Sequence, residues 1–267
     1  MGNPVAVVLD GTDLDDGQRQ RFANWTNLSE TTFVEPPTDA EADYAVRIFT
    51  PSSELPFAGH PTLGTAHAWL SAGNEPRQPG MVVQQCAAGL VPIRVDGDVV
   101  SFRAPPLMRS GALDAQTRAA ALAQIGVDES TDEVLTVEWV DNGPGWVGVV
   151  LADPTRVAAI RPVSGDLFVG VCAWWGAPGR SVGPDGADLE VRAFFHVNGE
   201  TREDPVTGSL NASLGQYFAA SEPGFSAYVA RQGTALGRLG LVRVENRDDA
   251  VWVGGSCHVC VDGTVSL

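Results

Sequence analysis

The chain has 267 residues, enough for one large domain or two of about 130, and its 44% hydrophobic and 19% charged residues are an ordinary globular balance. Its formal net charge of −16 argues against nucleic acid or an anionic membrane surface as a partner, because both favour an excess of Lys and Arg. No apolar run reaches the roughly 18 residues of a membrane-spanning helix, and the N-terminus lacks the segments of a signal peptide, so we predict a cytoplasmic protein with reduced cysteines.

Alternating apolar residues and helical spacing predict the elements of the first half of the chain. Strands are predicted over residues 4–9, 31–35, 44–49, 81–85, 90–95 and 98–103. Helices are predicted over about 15–25 and 61–72. The segment 103–112, RAPPLMRSGA, is predicted to be a linker between two domains.

The second half shows a similar succession of elements. Helices are predicted over about 114–125 and 205–220. Strands are predicted near residues 134–139, 146–151, 167–174, 189–195, 227–231, 240–245 and 250–253.

Several short motifs occur twice, in the same order in both halves. VRIF (46–49) recurs as VRAF (191–194), and GHPTLGTAHAWL, which begins at Gly59, aligns with EDPVTGSLNASL, which begins at Glu203. These matches in register indicate an internal duplication. We therefore predict two similar α+β domains that face each other across a cleft, a place where ligands commonly bind.

His60 and Asp204 occupy equivalent positions in this repeat, each at a predicted helix start and followed by proline. Asp204 has a structural explanation, because Asp-Pro is a standard N-cap with proline at the first helical position. His60 does not, because histidine is a poor N-cap. If both helix N-termini face the cleft, their free N–H groups can bind a small carboxylate, and Gly64 and Gly208 leave room for its approach.

Glu30, in the segment NLSETTFV, lies where a predicted helix meets a predicted strand. It can be an exposed turn residue, or it can be a proton carrier at the cleft. The repeat aligns it with Gly165, so the duplication alone does not require a carboxylate at this position.

The segment CHVC (257–260) has the CxxC spacing of zinc and redox sites, but no second cysteine pair accompanies it. Its alternating pattern favours two buried cysteines of a strand over metal binding or redox chemistry.

Five segments, GNPVAVVLD, WTNLSETTFV, RIFTPSSELPFAGHPTLGTAHAWL, EDPVTGSLNASL and RQGTALGRLG, span nearly the whole chain. In combination they resemble the phenazine-biosynthesis PhzF-like isomerase family, within the diaminopimelate-epimerase fold. The resemblance implies an α+β protein of two pseudo-symmetric domains, each a mostly antiparallel β-barrel around a central helix, with the active site in the cleft between them. The first domain is expected over 1–105, to which a C-terminal strand at 256–267 can return, and the second over 106–255. A homodimer without metal or organic cofactor is also implied.

The resemblance further implies roles for individual residues. Glu30 matches the principal acid/base of the family, His60 matches the histidine of its GHP motif, and Asp204 and Ser209 match its DPxTGS pair. The expected substrate-binding residues are Gly59, Gly64, Thr207, Gly208, Gln232 and Gly233. The implied reaction relocates a proton and a double bond on a small carboxylate-bearing metabolite, as in the isomerisation of trans-2,3-dihydro-3-hydroxyanthranilate.

Two alternatives stay open. Epimerases and racemases of this fold carry cysteines at the positions of His60 and Asp204, so their absence here argues against a two-thiol amino-acid epimerase. A non-catalytic small-molecule-binding protein of the same fold is the second alternative, and the retained acid–base residues weigh against it. One departure concerns the N-terminus: family members carry a strand before the GNPVAV motif, which begins here at residue 2, so either the first strand is missing or the start is wrongly placed. A missing strand would leave an exposed sheet edge near residues 4–9.

Overall fold

The computed structural model describes residues 1–176, 179, 182–197 and 199–267. Its α-helices are α1 (Asp16–Thr26), α2 (Gly59–Ser71), α3 (Ala115–Gln124), α4 (Pro154–Ala159) and α5 (Gly208–Ser221). Within the described ranges, none of the helices is long and apolar enough to cross a membrane. The chain divides into two compact units: a first unit of Pro4–Arg103 with Gly254–Leu267, and a second unit of Met1–Asn3 with Ala104–Val253.

The first unit is built on a mixed sheet. Its strands are β1 (Val5–Val8), β2 (Glu30–Glu35), β3 (Tyr44–Phe49), β4 (Glu54–Leu55), β5 (Met81–Cys86), β6 (Gly89–Asp96) and β7 (Val99–Arg103). They run in the order β1-β2-β3-β5-β6-β7, and β4 pairs with β3. The pairs β1–β2 and β3–β5 are parallel and the others are antiparallel.

Helix α2 packs against β1, β2, β5 and β7 of this unit. It does so through small and apolar side chains such as Leu63 and Ala66, which are buried. Among the described strands, β1 pairs with β2 alone, and the side chains of β1 are half-buried.

The second unit is also built on a mixed sheet. Its strands are β8 (Arg109–Ala112), β9 (Val134–Asp141), β10 (Trp146–Leu151), β11 (Phe168–Trp174), β12 (Leu189–Val197), β13 (Glu200–Asp204), β14 (Ala227–Gln232), β15 (Gly240–Arg247) and β16 (Ala250–Ser256), of which residues 250–253 belong to this unit. Here β10–β11 and β12–β14 are parallel, whereas β8–β9, β9–β10, β11–β12, β12–β13 and β14–β15 are antiparallel. A core of buried apolar side chains, including Val149, Val171 and Phe194, lies beneath this sheet.

The order of parallel and antiparallel pairs is the same in both units. The pairing scheme of β1–β6 in the first unit matches that of β10–β15 in the second unit, strand for strand in chain order. The sequence repeat therefore has a counterpart in strand pairing, and the α+β class is confirmed. The closed barrel around a central helix stays a prediction.

Several sequence predictions were wrong in detail. Strand β8 lies inside the predicted linker, and the sequence did not reveal β4, β13 or α4, which are too short or too polar for a periodic pattern. Residues 257–267 form no strand, because most of them are exposed and their alternating valines face no core. The cysteines of CHVC therefore do not lie in a strand: Cys257 is half-buried and Cys260 is exposed.

Candidate active site

In the first unit, β2 and α2 bring Glu30 and His60 together. Glu30 is the first residue of β2, and His60 is the second residue of α2, which begins two residues earlier than predicted. Nε2 of His60 lies 3.1 Å from Oε2 of Glu30, and each side chain is 14% exposed. Two residues that the sequence could connect only through a family resemblance thus form one pair.

The environment of His60 keeps its imidazole neutral. Burial lowers the pKa of His60 to about 3, although a hydrogen bond with the Pro4 backbone carbonyl favours the protonated form. The first turn of a helix also disfavours a cation, because it is the positive end of the helix dipole. At physiological pH the imidazole is therefore a neutral partner for the Glu30 carboxyl.

The helices α2 and α5 differ from the others at their N-termini. An aspartate side chain accepts a hydrogen bond from the first turn of α1, α3 and α4. The N-cap residues of α2 and α5 are Ala58 and Thr207, and neither makes a side-chain capping bond. The N-cap interpretation of Asp204 is wrong, because α5 begins at Gly208 and Asp204 ends β13. The first-turn N–H groups of α2 and α5 are therefore suited to an anion.

In the second unit, Asp204 is held by two side-chain donors. Asn3 Nδ2 donates to its Oδ1 at 2.8 Å, and Thr207 Oγ1 donates to its Oδ2 at 2.6 Å. Burial raises the pKa of Asp204 to about 6, against the opposing effect of these two hydrogen bonds and with a further contribution from the charge of Glu203. A carboxyl with this pKa can either donate or accept a proton near neutral pH.

Gln232, the last residue of β14, is fully buried and connects Asp204 with the start of α5. Its Nε2 donates to Thr207 Oγ1 at 2.9 Å and to the Asp204 carbonyl at 3.0 Å. Its Oε1 accepts from Thr207 N at 3.1 Å and from Asn211 Nδ2 at 2.9 Å. These four bonds use both N–H groups and both lone pairs of the amide, so Gln232 fixes the end of β13 against the start of α5.

Ser209, the second residue of α5, is contacted by one residue of the turn between β9 and β10 and by the first residue of β10. Trp146 Nε1 donates to Ser209 Oγ at 3.0 Å, and Asn142 Nδ2 donates to its carbonyl at 2.9 Å. The sequence analysis missed Asn142 and Trp146. The available signal is the segment DNGPGW, a polar, glycine-rich turn between two apolar strands.

The remaining expected binding residues are glycines at four different places. Gly59 and Gly208 are the first residues of α2 and α5. Gly64 faces β1, where an added Cβ would collide with the Val5 side chain, so packing explains this glycine without a ligand. Gly233 has φ +89°, and an added Cβ would lie 2.5 Å from the Pro205 carbonyl oxygen. Among the described residues, no group of three or more His, Cys, Asp or Glu side chains is arranged to hold a metal ion.

The family model described as "Phenazine biosynthesis-like protein" (PhzC-PhzF) matches residues 1–263. The chain belongs to this family.

Whole-chain relatives agree with this assignment. The trans-2,3-dihydro-3-hydroxyanthranilate isomerase of Pseudomonas aeruginosa is 40% identical, over 100% of this chain and 94% of the relative. Antisense-enhancing sequence 1 of Schizosaccharomyces pombe is 36% identical, over 98% of this chain and 93% of the relative. The crystal structure of a PhzF-family phenazine biosynthesis protein from Enterococcus faecalis has a TM-score of 0.77 and 25% identity, and covers 100% of this chain and 94% of its own. Several relatives are named isomerases, and the chain is an isomerase of this family.

Alanine substitutions at two glycines in one loop of this PhzF-like isomerase measure the effect of close packing on the stability of the second unit. Gly233→Ala is expected to destabilise the protein more than Gly237→Ala. Both glycines have positive φ, which costs a non-glycine residue about 1–2 kcal/mol, but only at Gly233 does a Cβ meet a backbone carbonyl; at Gly237 it meets open space. Urea denaturation of the two variants measures the difference, and equal losses of stability would contradict the close approach to Pro205.

Proposed function

We propose that this isomerase relocates a proton, and with it a double bond, on a small cyclic carboxylate resembling trans-2,3-dihydro-3-hydroxyanthranilate, the compound named for its Pseudomonas aeruginosa relative. The observation that carries the proposal is the pair of Glu30 and His60. A carboxyl and a neutral imidazole 3.1 Å apart, each largely withdrawn from solvent, can take a proton from an activated carbon and return it elsewhere.

The hydrogen bond with Pro4 determines which group exchanges the proton. A neutral imidazole has one N–H, and the Pro4 carbonyl can only accept, so the imidazole donates that N–H to Pro4. The lone pair on Nε2 is then directed towards Glu30. Two acceptor atoms repel at 3.1 Å, so this contact fits the protonated carboxyl of Glu30, which donates to Nε2. In the proposed reaction the deprotonated Glu30 removes the substrate proton, becomes this protonated carboxyl, and then returns the proton elsewhere on the substrate. His60 acts as the partner that holds the carboxyl in position.

The N-terminus of α5 is the proposed site for the substrate carboxylate. The Thr207 hydroxyl donates to Asp204 and does not cap the helix, so the N–H groups near Gly208 and Ser209 can bind an anion. Asp204, with a pKa of about 6, is the proposed second proton-transfer group. Because the residues at positions 60 and 204 are not cysteines, a two-thiol epimerisation is not supported.

The test is incubation with trans-2,3-dihydro-3-hydroxyanthranilate in deuterium oxide, followed by NMR and mass spectrometry. We expect an isomerised product that carries deuterium at the carbon that receives the proton. Deuterium exchange only into other conjugated cyclic carboxylates would support the proposed acid–base reaction but show that the substrate is a different compound. Binding without any exchange would favour a non-catalytic small-molecule-binding protein.

A further inference from the structure

Both copies of the repeated Arg-x-Phe motif pair their arginine with a glutamate of the next strand. In β3, Arg47 donates from Nε and Nη2 to the two carboxylate oxygens of Glu54, at 2.8 and 2.7 Å. In β12, Arg192 donates from Nε and Nη2 to the two oxygens of Glu203, at 2.9 and 2.6 Å. We call these pairs the first clamp (Arg47 and Glu54) and the second clamp (Arg192 and Glu203).

The two clamps share their position in the strand ladder. Glu54 pairs with Phe49, and Glu203 pairs with Phe194, which are the phenylalanines of the repeated motif. In each clamp the guanidinium also lies over that phenylalanine ring, 5.2 Å from the centroid in the first and 4.9 Å in the second. The duplication has therefore preserved a three-residue arrangement whose glutamates lie in β4 and β13, outside the motif.

The clamps differ in burial and in their distance along the chain from the acid–base residues. The arginine and glutamate side chains are 26% and 38% exposed in the first clamp, and 3% and 7% exposed in the second. Glu54 precedes His60 by six residues, whereas Glu203 directly precedes Asp204. Water weakens an exposed pair, while a buried bidentate pair fixes geometry strongly, so the second clamp has the larger local effect.

Arg192 is itself anchored at a third point. Its Nη1 donates to the carbonyls of Ile160 at 2.7 Å and Val157 at 3.3 Å, at the C-terminal end of α4. A cation is favoured there because the carbonyls of the last helical turn carry the negative end of the helix dipole. Arg192 therefore joins α4, β12 and β13 in one rigid connection.

We propose that the second clamp is a positioning device for Asp204. Arg192, anchored at α4, holds Glu203 and with it the end of β13, so that the Asp204 carboxyl stays against Asn3 and Thr207. Side chains alternate along a strand, so Glu203 and Asp204 point to opposite faces and the effect passes through the backbone. The inference rests on the proposed function, in which Asp204 transfers a proton.

The test uses two variants. Arg192→Lys keeps the positive charge but loses the guanidinium that donates two hydrogen bonds to Glu203, and Glu203→Gln keeps the shape of the side chain but removes its negative charge. Arg47→Lys and Glu54→Gln are the matched controls in the first clamp. The first measurement is the titration of the Asp204 carboxyl by carbon-13 NMR, with Asp204→Asn to identify the signal. The charge of Glu203, on the opposite face of β13, acts on Asp204 through space, and Asn3 and Thr207 donate hydrogen bonds to the Asp204 carboxyl.

We expect Arg192→Lys to lower the titration midpoint of Asp204 by about one pH unit, because a loosened β13 weakens both effects on the carboxyl, and burial, which raises its pKa, outweighs the hydrogen bonds from Asn3 and Thr207, which lower it. Glu203→Gln is expected to lower it as well, since it also removes a neighbouring negative charge. The controls should leave the midpoint unchanged. With trans-2,3-dihydro-3-hydroxyanthranilate as substrate, Arg192→Lys should lower kcat at least about tenfold with little change in KM, because positioning of a proton carrier is lost and substrate binding is not.

An unchanged midpoint and unchanged kcat in folded Arg192→Lys and Glu203→Gln proteins would overturn the proposal, even if both variants lose thermal stability. If Arg192→Lys does not fold, the kcat of Glu203→Gln decides the question, because the loss of the Glu203 charge moves the Asp204 midpoint by itself. A wild-type protein that does not convert the compound would refute the proposed substrate, while the Asp204 titration would still decide the role of the clamp.

Discussion

Glu30→Gln is expected to lower the turnover of trans-2,3-dihydro-3-hydroxyanthranilate by about 10²–10⁴-fold and to leave the protein folded. Glutamine has the shape of glutamate, but its amide cannot take a proton from carbon or release one to it. The amide N–H can still donate to Nε2 of His60, which lies 3.1 Å from the Glu30 carboxyl in the native protein. The contact between β2 and α2 therefore survives, and the loss is confined to proton transfer.

The measurement is deuterium incorporation and product formation, together with thermal unfolding of the same preparation. Glu41→Gln, at an exposed position of the same unit, is the matched control and should have wild-type turnover. A folded Glu30→Gln protein that retains more than about a tenth of wild-type turnover would exclude Glu30 as the acid–base group.

The repeated pattern of the sequence predicted most of the strands and helices, but not the partners of its own repeated residues. The arginines of VRIF and VRAF are visible because they lie in alternating apolar segments. Their glutamates are not, because SSEL (52–55) and ETRED (200–204) have no apolar alternation, and those strands exist through pairing with β3 and β12.

Asp204 shows why the local sequence can predict the wrong role for a residue of the candidate site. Asp-Pro before a helix has the same local sequence whether the carboxylate caps the helix or not. Here the outcome depends on Asn3, which is 201 residues away in the chain, and on the Thr207 hydroxyl, which donates to Asp204 instead of capping α5. Glu30 and His60 could likewise be joined only by resemblance, because their proximity arises from the packing of α2 on β2.

Asp204→Asn is expected to be less destabilised, relative to the wild type, at pH 7.5 than at pH 4. The pKa of Asp204 is raised from 3.8 to about 6, so the folded protein binds this proton more tightly than the unfolded chain does. The wild-type protein has this stability while Asp204 is protonated. Its free energy of unfolding therefore falls as pH rises from about 4 through about 6, by up to about 3 kcal/mol. Asparagine has no such ionisation, so the difference between the two proteins changes with pH by that amount.

Urea denaturation of both proteins at the two pH values measures this change. The substitution also removes the acceptor of the Thr207 hydroxyl, at a cost of about 1–3 kcal/mol that does not vary with pH, so the comparison across pH isolates the ionisation. Asp10→Asn is the control of opposite sign, because hydrogen bonds from Thr12 lower the pKa of Asp10. A stability difference between Asp204→Asn and the wild type that is the same at both pH values would contradict a raised pKa. If the difference has the expected sign while turnover falls by about 10²-fold, the native carboxylate lowers stability at neutral pH and is required for proton transfer.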